Sequence, residues 1–436
     1  MKKNGFIMST YVYILLVFFL LLLGTMLVVL NNTRLLANKI KENTDGNIDF
    51  NLVLKGDKEI FIVKDSEYIE PGCIATTFDG EKLEVRVMGE ANAKKSGEYD
   101  IEYSAEYKWV EKKVKRKVIV GENLVTYITN LYEDSITRAS NNLKKDNTED
   151  KNIRYYGANP NNYVRFNNEL WRIIGIFGNN VKLIRNDRLG WLSWDTSEST
   201  VNSGYGINQW GESKDTSGNI YEGADLQVYL NKMYYGGTSV TCYGGTKNST
   251  TTCPTNTLDN TAKALIDNHT WNTGAPNHST LYNSTTQSYD TVEFYKAERG
   301  TVNGKICSSG TYCNDTVTRT TEWTGYIALP YVTDWAYASS ENDCNTKIDQ
   351  SSTHKCKNNN WMHYGSTYND VTWVMSPSAY LGNAGRVWDV SGVGSTGSYF
   401  ASGTFAVFPA IYLKSNILIE SGKGTSSNPY ILKAGS

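Results

Sequence analysis

The chain has 436 residues, with 43 Lys+Arg against 45 Asp+Glu, 40% hydrophobic and 12% aromatic residues, 37 Gly and 8 Pro, which suits two or three domains with cores of their own. A net charge of -2 gives no overall pull toward phosphate backbones, so nucleic-acid binding is set aside. Its 30 Tyr and 11 Trp exclude a disordered chain, and the accompanying Asn, Ser, Thr and Gly suit adaptable binding surfaces.

From Asn4 to Thr33 there is no charged side chain, and Tyr11 to Leu30 is almost wholly apolar. As a helix this stretch is about 30 Å long, enough to cross a lipid bilayer. A secretory signal has a shorter apolar core and a small-x-small cleavage site, and none follows Leu30, so residues 1–34 read as an uncleaved anchor. Lys2 and Lys3 on one flank face Arg34, Lys39 and Lys41 on the other, which leaves the orientation to be decided elsewhere. The opening MKKNGF is a short basic leader ending in Gly5, followed by Phe6 and the apolar helix, and it resembles a prepilin-type leader. That resemblance implies cleavage after Gly5 and packing of the helix in a pilus-like assembly. Thr10 stands where that family usually carries Glu. A plain single-pass anchor and a pilin-like subunit are both open.

Residues 35–50 form a polar stalk, and a domain over 51–121 follows with a periodicity of two. Leu83, Val85 and Val87 alternate with charged residues, as do Tyr99, Ile101 and Tyr103, and then Val114, Val118 and Val120, which marks half-buried antiparallel strands. Turn residues at Glu70-Pro71-Gly72, Asp79-Gly80 and Ser96-Gly97 separate them, predicting a small all-β sandwich. The Tyr68-x-x-Pro71-Gly72 and Lys95-x-Gly97-x-Tyr99 positions resemble a bacterial immunoglobulin-like surface domain, which implies a spacer. The run Lys112, Lys113, Lys115, Arg116 and Lys117 reads as the solvent side of an edge strand, where lysine prevents sheet-to-sheet aggregation. Cys73 reads as a small buried hydrophobe.

Residues 122–150 are a helical linker: Leu124, Ile128, Leu131, Tyr132 and Ile136 recur at helical spacing over 123–143, with Asn123 placed to cap the start. Beyond it, 151–433 carries ten of the eleven Trp. Tyr163–Phe177 and Val181–Arg185 predict a three-stranded meander with tight turns at Asn168 and Gly178. Amphipathic helices are expected over 224–234 and 261–267, and strands over 373–375, 386–390 and 406–413.

Six of the seven cysteines fall in three close pairs, each flanking a polar loop: Cys242 with Cys253, Cys307 with Cys313, and Cys344 with Cys356. Short disulfide-closed loops are sterically reasonable, and their oxidation places the bulk of the chain outside the cell. The localisation expected is a single-pass cell-membrane protein with an extracellular C-terminal body. No Cys-x-x-Cys occurs, and His269, His278, His354 and His363 form no zinc pattern with the cysteines.

Phe166-Asn-Asn-Glu-Leu-Trp-Arg-Ile-Ile, Asp225-Leu-Gln-x-Tyr-Leu-Asn, Trp373-Val-Met-Ser-Pro-Ser and Val407-Phe-Pro-Ala-Ile-Tyr-Leu together resemble an uncharacterised bacterial exported domain, itself similar to the C-type-lectin-like fold of the formylglycine-generating enzyme group. The resemblance implies an α+β domain whose long disulfide-stapled loops present a recognition surface, and no established activity. The closing strand reads Ala406-Val407-Phe408-Pro409 where that family usually has Gly-Val-Arg-Pro, so no anion contact is carried over to position 408. No close cysteine pair lies near the C-terminal strands, no Gly-x-Ser-x-Gly occurs, and no two carboxylates can be paired for glycoside chemistry, so the chain is read as a binding protein and not an enzyme. No cofactor is expected. Calcium remains open, because a lectin-like fold suggests it while Asp195-Thr-Ser-Glu198 and Glu341-Asn-Asp343 read as solvated loop carboxylates.

Aromatic recognition remains. Trp191, Trp194, Trp210, Trp323, Trp335, Trp361 and Trp388 lie among Gly, Ser and Asn, and rigid rings on such loops give contact area with little entropy loss. Trp191, Trp194, Trp210 and Trp388 are taken as the candidate binding group, for an extracellular glycan or protein ligand. The leading expectation is a membrane-anchored adhesion protein of a bacterium. The alternatives are a minor pilin-like subunit and an exported enzyme of the formylglycine-generating or hydrolase kind.

Overall fold

A computed structural model describes residues 4–43, 49–214, 220–221, 223–302, 305–306, 320–349, 355–379 and 385–435. The chain divides into two compact units, one made of 1–58, 69–90 and 100–116, the other of 59–68, 91–99 and 117–436.

In the first unit, Asn4–Asn43 is one helix, and from Ile14 to Arg34 its side chains are exposed. These 21 residues are long and apolar enough to span a bilayer. The strands Phe50–Leu54, Cys73–Thr77 and Lys82–Leu83 form an antiparallel sheet, and Arg86–Met88 pairs with Glu102–Ser104. Phe50, Ala75 and Ala105 make the core, packed by Leu52, Leu83 and Val85. Val87 does not follow the expected alternation: it is exposed, like both its neighbours in the short strand. Cys73 is half-buried and free, its thiol donating to the Val53 carbonyl at 3.1 Å.

The basic run differs from its sequence reading. Its strand, Val110–Asn123, is no edge from Lys117 onward, because Lys117–Gly121 pairs in parallel with Glu59–Val63 and Glu122–Asn123 pairs with Leu418–Ile419. Arg116 turns inward, fully buried, its guanidinium on the Glu70 carboxylate and on the carbonyls of Lys55 and Asp57. A buried guanidinium needs those partners. Lys113 and Lys115 do face solvent and meet Glu102.

In the second unit Asn123 caps the helix Leu124–Glu133 by accepting from the amides of Val125 and Thr126 at 2.9 and 3.2 Å. Asp134 ends it and caps a second, short helix, Ser135–Ser140. Ile136, expected on the packed face, is 78% exposed because the chain re-orients at Asp134. The meander forms as Tyr163–Phe166, Glu169–Phe177 and Asn180–Arg185. Asn167 and Asn168 both take positive φ, the backbone of a type I′ hairpin turn. Gly175 is required where the strand Ile153–Tyr155 crosses, since a Cβ there would lie 2.2 Å from the Ile153 carbonyl oxygen.

Two sheets organise this unit. The first runs Ile327–Ala328, Ala410–Tyr412, Asn180–Arg185, Glu169–Phe177, Tyr163–Phe166, Tyr430–Ala434, Ile417–Ser421. The second runs Gly190–Ser193, Thr404–Val407, Val371–Pro377, Arg386–Ser391, Thr396–Phe400. The single closing strand expected over 406–413 is therefore broken. Pro409 has no N–H for a ladder, and at Phe408-Pro409 the chain leaves the second sheet and enters the first. Asn186–Leu189 makes the same crossing between Arg185 and Gly190, alongside it, with the Leu189 amide on the Val407 carbonyl (2.7 Å) and the Arg185 amide on the Pro409 carbonyl (2.9 Å).

Beneath the first sheet lies a closed ionic cluster. Arg154 donates to Asp146 (2.7 Å) and Asp334 (2.8 Å), and Lys182 donates to Asp334 (2.6 Å). All four side chains are buried. Of the expected disulfides, Cys242–Cys253 and Cys344–Cys356 form, with Cα atoms 5.2 and 5.6 Å apart. Cys307–Cys313 lies outside the described residues.

Candidate functional site

The two crossovers part the sheets, and a cavity of about 90 Å³ opens at the seam. Five aromatic rings stand in its wall: Trp335, Trp361, Tyr364, Phe408 and Tyr331. Trp361 is fixed by its indole N–H on the Tyr155 carbonyl at 2.9 Å, and Tyr331 by its hydroxyl on the Asn272 carbonyl at 2.8 Å. Phe408 reaches the cavity because it sits at the crossover, with its ring 5.2 Å from that of Tyr364. A second, more open hollow of about 480 Å³ shares Asn186, Tyr364 and Phe408 and continues past Arg188 and Gly190. Arg188 donates to the Tyr364 hydroxyl at 2.7 Å and lies 5.5 Å over Trp191. Cavity and hollow form one aromatic trough.

The polar groups of the trough are few. Arg172 is only 6% exposed. Its Nε donates to Asn162 Oδ1 at 2.9 Å, its Nη2 points at the Pro160 carbonyl at 3.4 Å, and its guanidinium stacks between Tyr163 and Trp361 at 4.1 and 4.5 Å. Burial brings its pKa down to about 10, which leaves it charged at neutral pH. Arg185 also lines the cavity, but it is held by Glu169 at 2.7 Å. His363 Nε2 meets the Gly392 carbonyl at 3.0 Å and must donate, which leaves Nδ1 as an acceptor. Burial holds this imidazole below its ordinary pKa. Within the described lining of the cavity, His363 Nδ1 and Trp335 Nε1 are sealed from solvent without a hydrogen-bond partner.

The four tryptophans taken as a binding group are not brought together. Trp191 is 37% exposed at the lip of the trough, its ring 6.5 Å from Tyr364. Trp194 and Trp210 are fully buried against one another, with centroids 5.3 Å apart. Trp388 is buried too, against Phe294 and Tyr289, with its N–H on the Pro276 carbonyl at 2.8 Å. These three rings fill cores, because loops this long have few aliphatic residues to do so. Gly5 and Phe6 lie within the N-terminal helix.

Asp195 is not a solvated loop carboxylate. It accepts from the amides of Ile207 (2.6 Å) and Asp225 (3.2 Å), while Asp225 accepts from the Thr196 amide (2.8 Å). Burial, reinforced by the neighbouring Asp225 charge, pushes the Asp195 carboxyl far up. Asp343 does stay exposed. Among the described residues no group of three or more His, Cys, Asp or Glu is arranged to hold a metal ion.

Arg172, Arg188 and Tyr364 were not singled out from the sequence, and Phe408 was noted there only as standing where the resembled family usually has Arg. One signal was available: Arg172 interrupts the apolar run Leu170-Trp171-Arg172-Ile173-Ile174, as Lys182 interrupts Val181–Ile184. A charge inside a strand buried on both faces has to be answered by some partner.

Residues 52–120 match the family model described as bacterial surface protein, Ig-like domain. No curated protein matches the chain. Among solved structures, the lipoprotein BT2262 from Bacteroides thetaiotaomicron is similar at 19% identity over 39% of this chain and 76% of that one, with a TM-score of 0.17. The CBM51-2 and INT domains from Clostridium perfringens ZmpB, solved in complex with GlcNAc, are similar at 13% identity over 35% of this chain and 33% of that one, with a TM-score of 0.15. At such scores neither likeness bears on the trough.

Proposed function

We propose that this is a membrane-anchored binding protein of a bacterial cell surface, which contacts an extracellular glycan or protein ligand through the trough between Trp191 and Trp361. The observation that carries the reading is the trough itself: a cavity with five aromatic rings in its wall that opens into a wider hollow. Location is supported by the surface-type Ig-like domain, by an apolar helix of spanning length and by two disulfides, which need an oxidising compartment. A C-type-lectin-like head over 151–433 is part of the proposal, supported by two sheets joined through long disulfide-stapled loops.

Binding is favoured over catalysis at the trough because Arg154, Lys182 and Asp334 pair with one another inside the core, and the raised Asp195 carboxyl lies with Asp225 in a separate hollow. The test is titration of the full chain, in lipid nanodiscs, against panels of glycans and extracellular proteins. Saturable binding that Trp191→Ala with Tyr364→Ala abolishes, at unchanged unfolding temperature, is the expected result. Binding indifferent to both substitutions, or none to either panel, would end the reading.

A further inference from the structure

We infer that the cavity takes the carboxylate of an acidic sugar, a hexuronate unit of a polysaccharide, with the Arg172 guanidinium as its anion contact and the rings of Trp361 and Tyr364 beside the pyranose. The inference rests on the trough being the ligand site and narrows the ligand class.

Buried arginines ordinarily come with a carboxylate. Elsewhere in this unit they do: Arg154 has Asp146 and Asp334, Lys182 has Asp334, and Arg185 has Glu169. Arg172 instead meets only neutral acceptors, Asn162 Oδ1 and the Pro160 carbonyl, and no carboxylate of the described residues lies within ion-pair distance. Its Nη1 makes no hydrogen bond to the described residues and is not sealed from solvent. Among the described residues no Asp or Glu lines the cavity. The cavity therefore holds an unanswered positive charge in a partly desolvated place, where a ligand carboxylate adds a charge-assisted hydrogen bond.

Size and shape select the rest of the ligand. About 90 Å³ holds roughly six water-sized groups at ~15 Å³ each, enough for a carboxylate and the ring atoms next to it. The remainder of a polymer would lie in the open hollow along Arg188. A hexuronate carries its carboxylate one bond from a ring with apolar faces, so anion and stacking surface arrive together. A peptide carboxy-terminus carries the same anion but brings backbone N–H groups, for which the described lining of the cavity offers no carboxylate.

The test uses the full chain in lipid nanodiscs and calorimetric titration with three probes: oligogalacturonate, the same oligomer fully methyl-esterified, and a short acidic peptide with a free carboxy-terminus. The acid should bind about 10- to 100-fold more tightly than its ester, and Arg172→Gln should erase that gap. Equal binding of acid and ester overturns this inference while leaving the trough as a glycan site. Binding of the peptide alone overturns the sugar class. Failure of all three probes overturns the inference, and the panels with Trp191→Ala and Tyr364→Ala then judge the trough separately. Should Arg172→Gln not fold, the comparison of acid with ester on the native chain decides by itself.

Discussion

Asp334 is the hinge of the buried ionic cluster, and Asp334→Asn tests how its charges are balanced. Its two oxygens accept from Arg154 at 2.8 Å, Lys182 at 2.6 Å and the Tyr331 amide at 3.0 Å. Lys182 and Arg154 hold its carboxyl down at about 2 against an ordinary 3.8, despite its burial. By linkage that difference is worth on the order of 2 kcal/mol at neutral pH. A carboxyl held down contributes stability above its unfolded value and loses it as pH falls through the folded one. The amide substitution removes this term, leaves Arg154 with Asp146 alone and leaves the Lys182 ammonium with no carboxylate of the described residues, so the expected cost is about 3 to 5 kcal/mol. Tryptophan fluorescence during urea unfolding of the full chain in nanodiscs reads this directly, because ten of the eleven Trp lie after residue 170. Adding Lys182→Met to Asp334→Asn should recover part of the loss, since in the single variant the ammonium loses the one carboxylate that the described residues give it. A single variant within about 1 kcal/mol of the native chain would refute the reasoning, and so would a double variant less stable than the single.

Stability should pass through a minimum near pH 7 to 8. Burial raises Glu298 and Asp389 to about 7 each, so as pH rises from about 4.5 to 7 the unfolded chain loses protons the folded one keeps, at a cost of order 3 kcal/mol per group. Burial lowers Lys144 to about 7 and Lys182 to about 8, so stability recovers above that window while the unfolded chain still holds those protons; fluorescence-monitored unfolding at pH 5, 7.5 and 9 shows the profile. Trp191→Ala should leave stability within about 0.5 kcal/mol and weaken ligand binding, whereas Trp194→Ala should cost about 3 to 5 kcal/mol; equal effects in urea unfolding would mean that the two rings share one environment. Replacing Cys344 and Cys356 by Ser opens a link across 12 positions and should cost about 3 kcal/mol. Non-reducing peptide mapping should find that link and the one between Cys242 and Cys253.

Local chemistry was legible wherever neighbouring residues decide the structure. Asn167-Asn168 forms its hairpin because Asn tolerates positive φ, and Asn123 caps its helix because its side chain reaches two free amides. The candidate site was far less legible. Trp191 and Trp194 are separated by two residues and have the same Gly- and Ser-rich surroundings, yet one lies at the lip of the trough and the other is sealed against Trp210. A ring's burial depends on which distant segment covers it, and periodicity reports only the near ones.

The sequence alone determined the properties that short windows of chain carry: an apolar span set by its length, a β domain set by alternation and turns, cysteines close enough to staple their own loops, and a body rich in rings. The tertiary structure decided where Arg172, Trp361, Tyr364 and Phe408 meet, because they converge only when Asn186–Leu189 and Phe408-Pro409 cross side by side between two sheets. It also decided which charges are answered. Arg116, Arg154 and Lys182 find carboxylates far away in the chain, while Arg172 faces a cavity lined by none of the described ones. Pairing across long loops is a property of the closed fold, because its electrostatic gain appears only after the packing has excluded water from both partners.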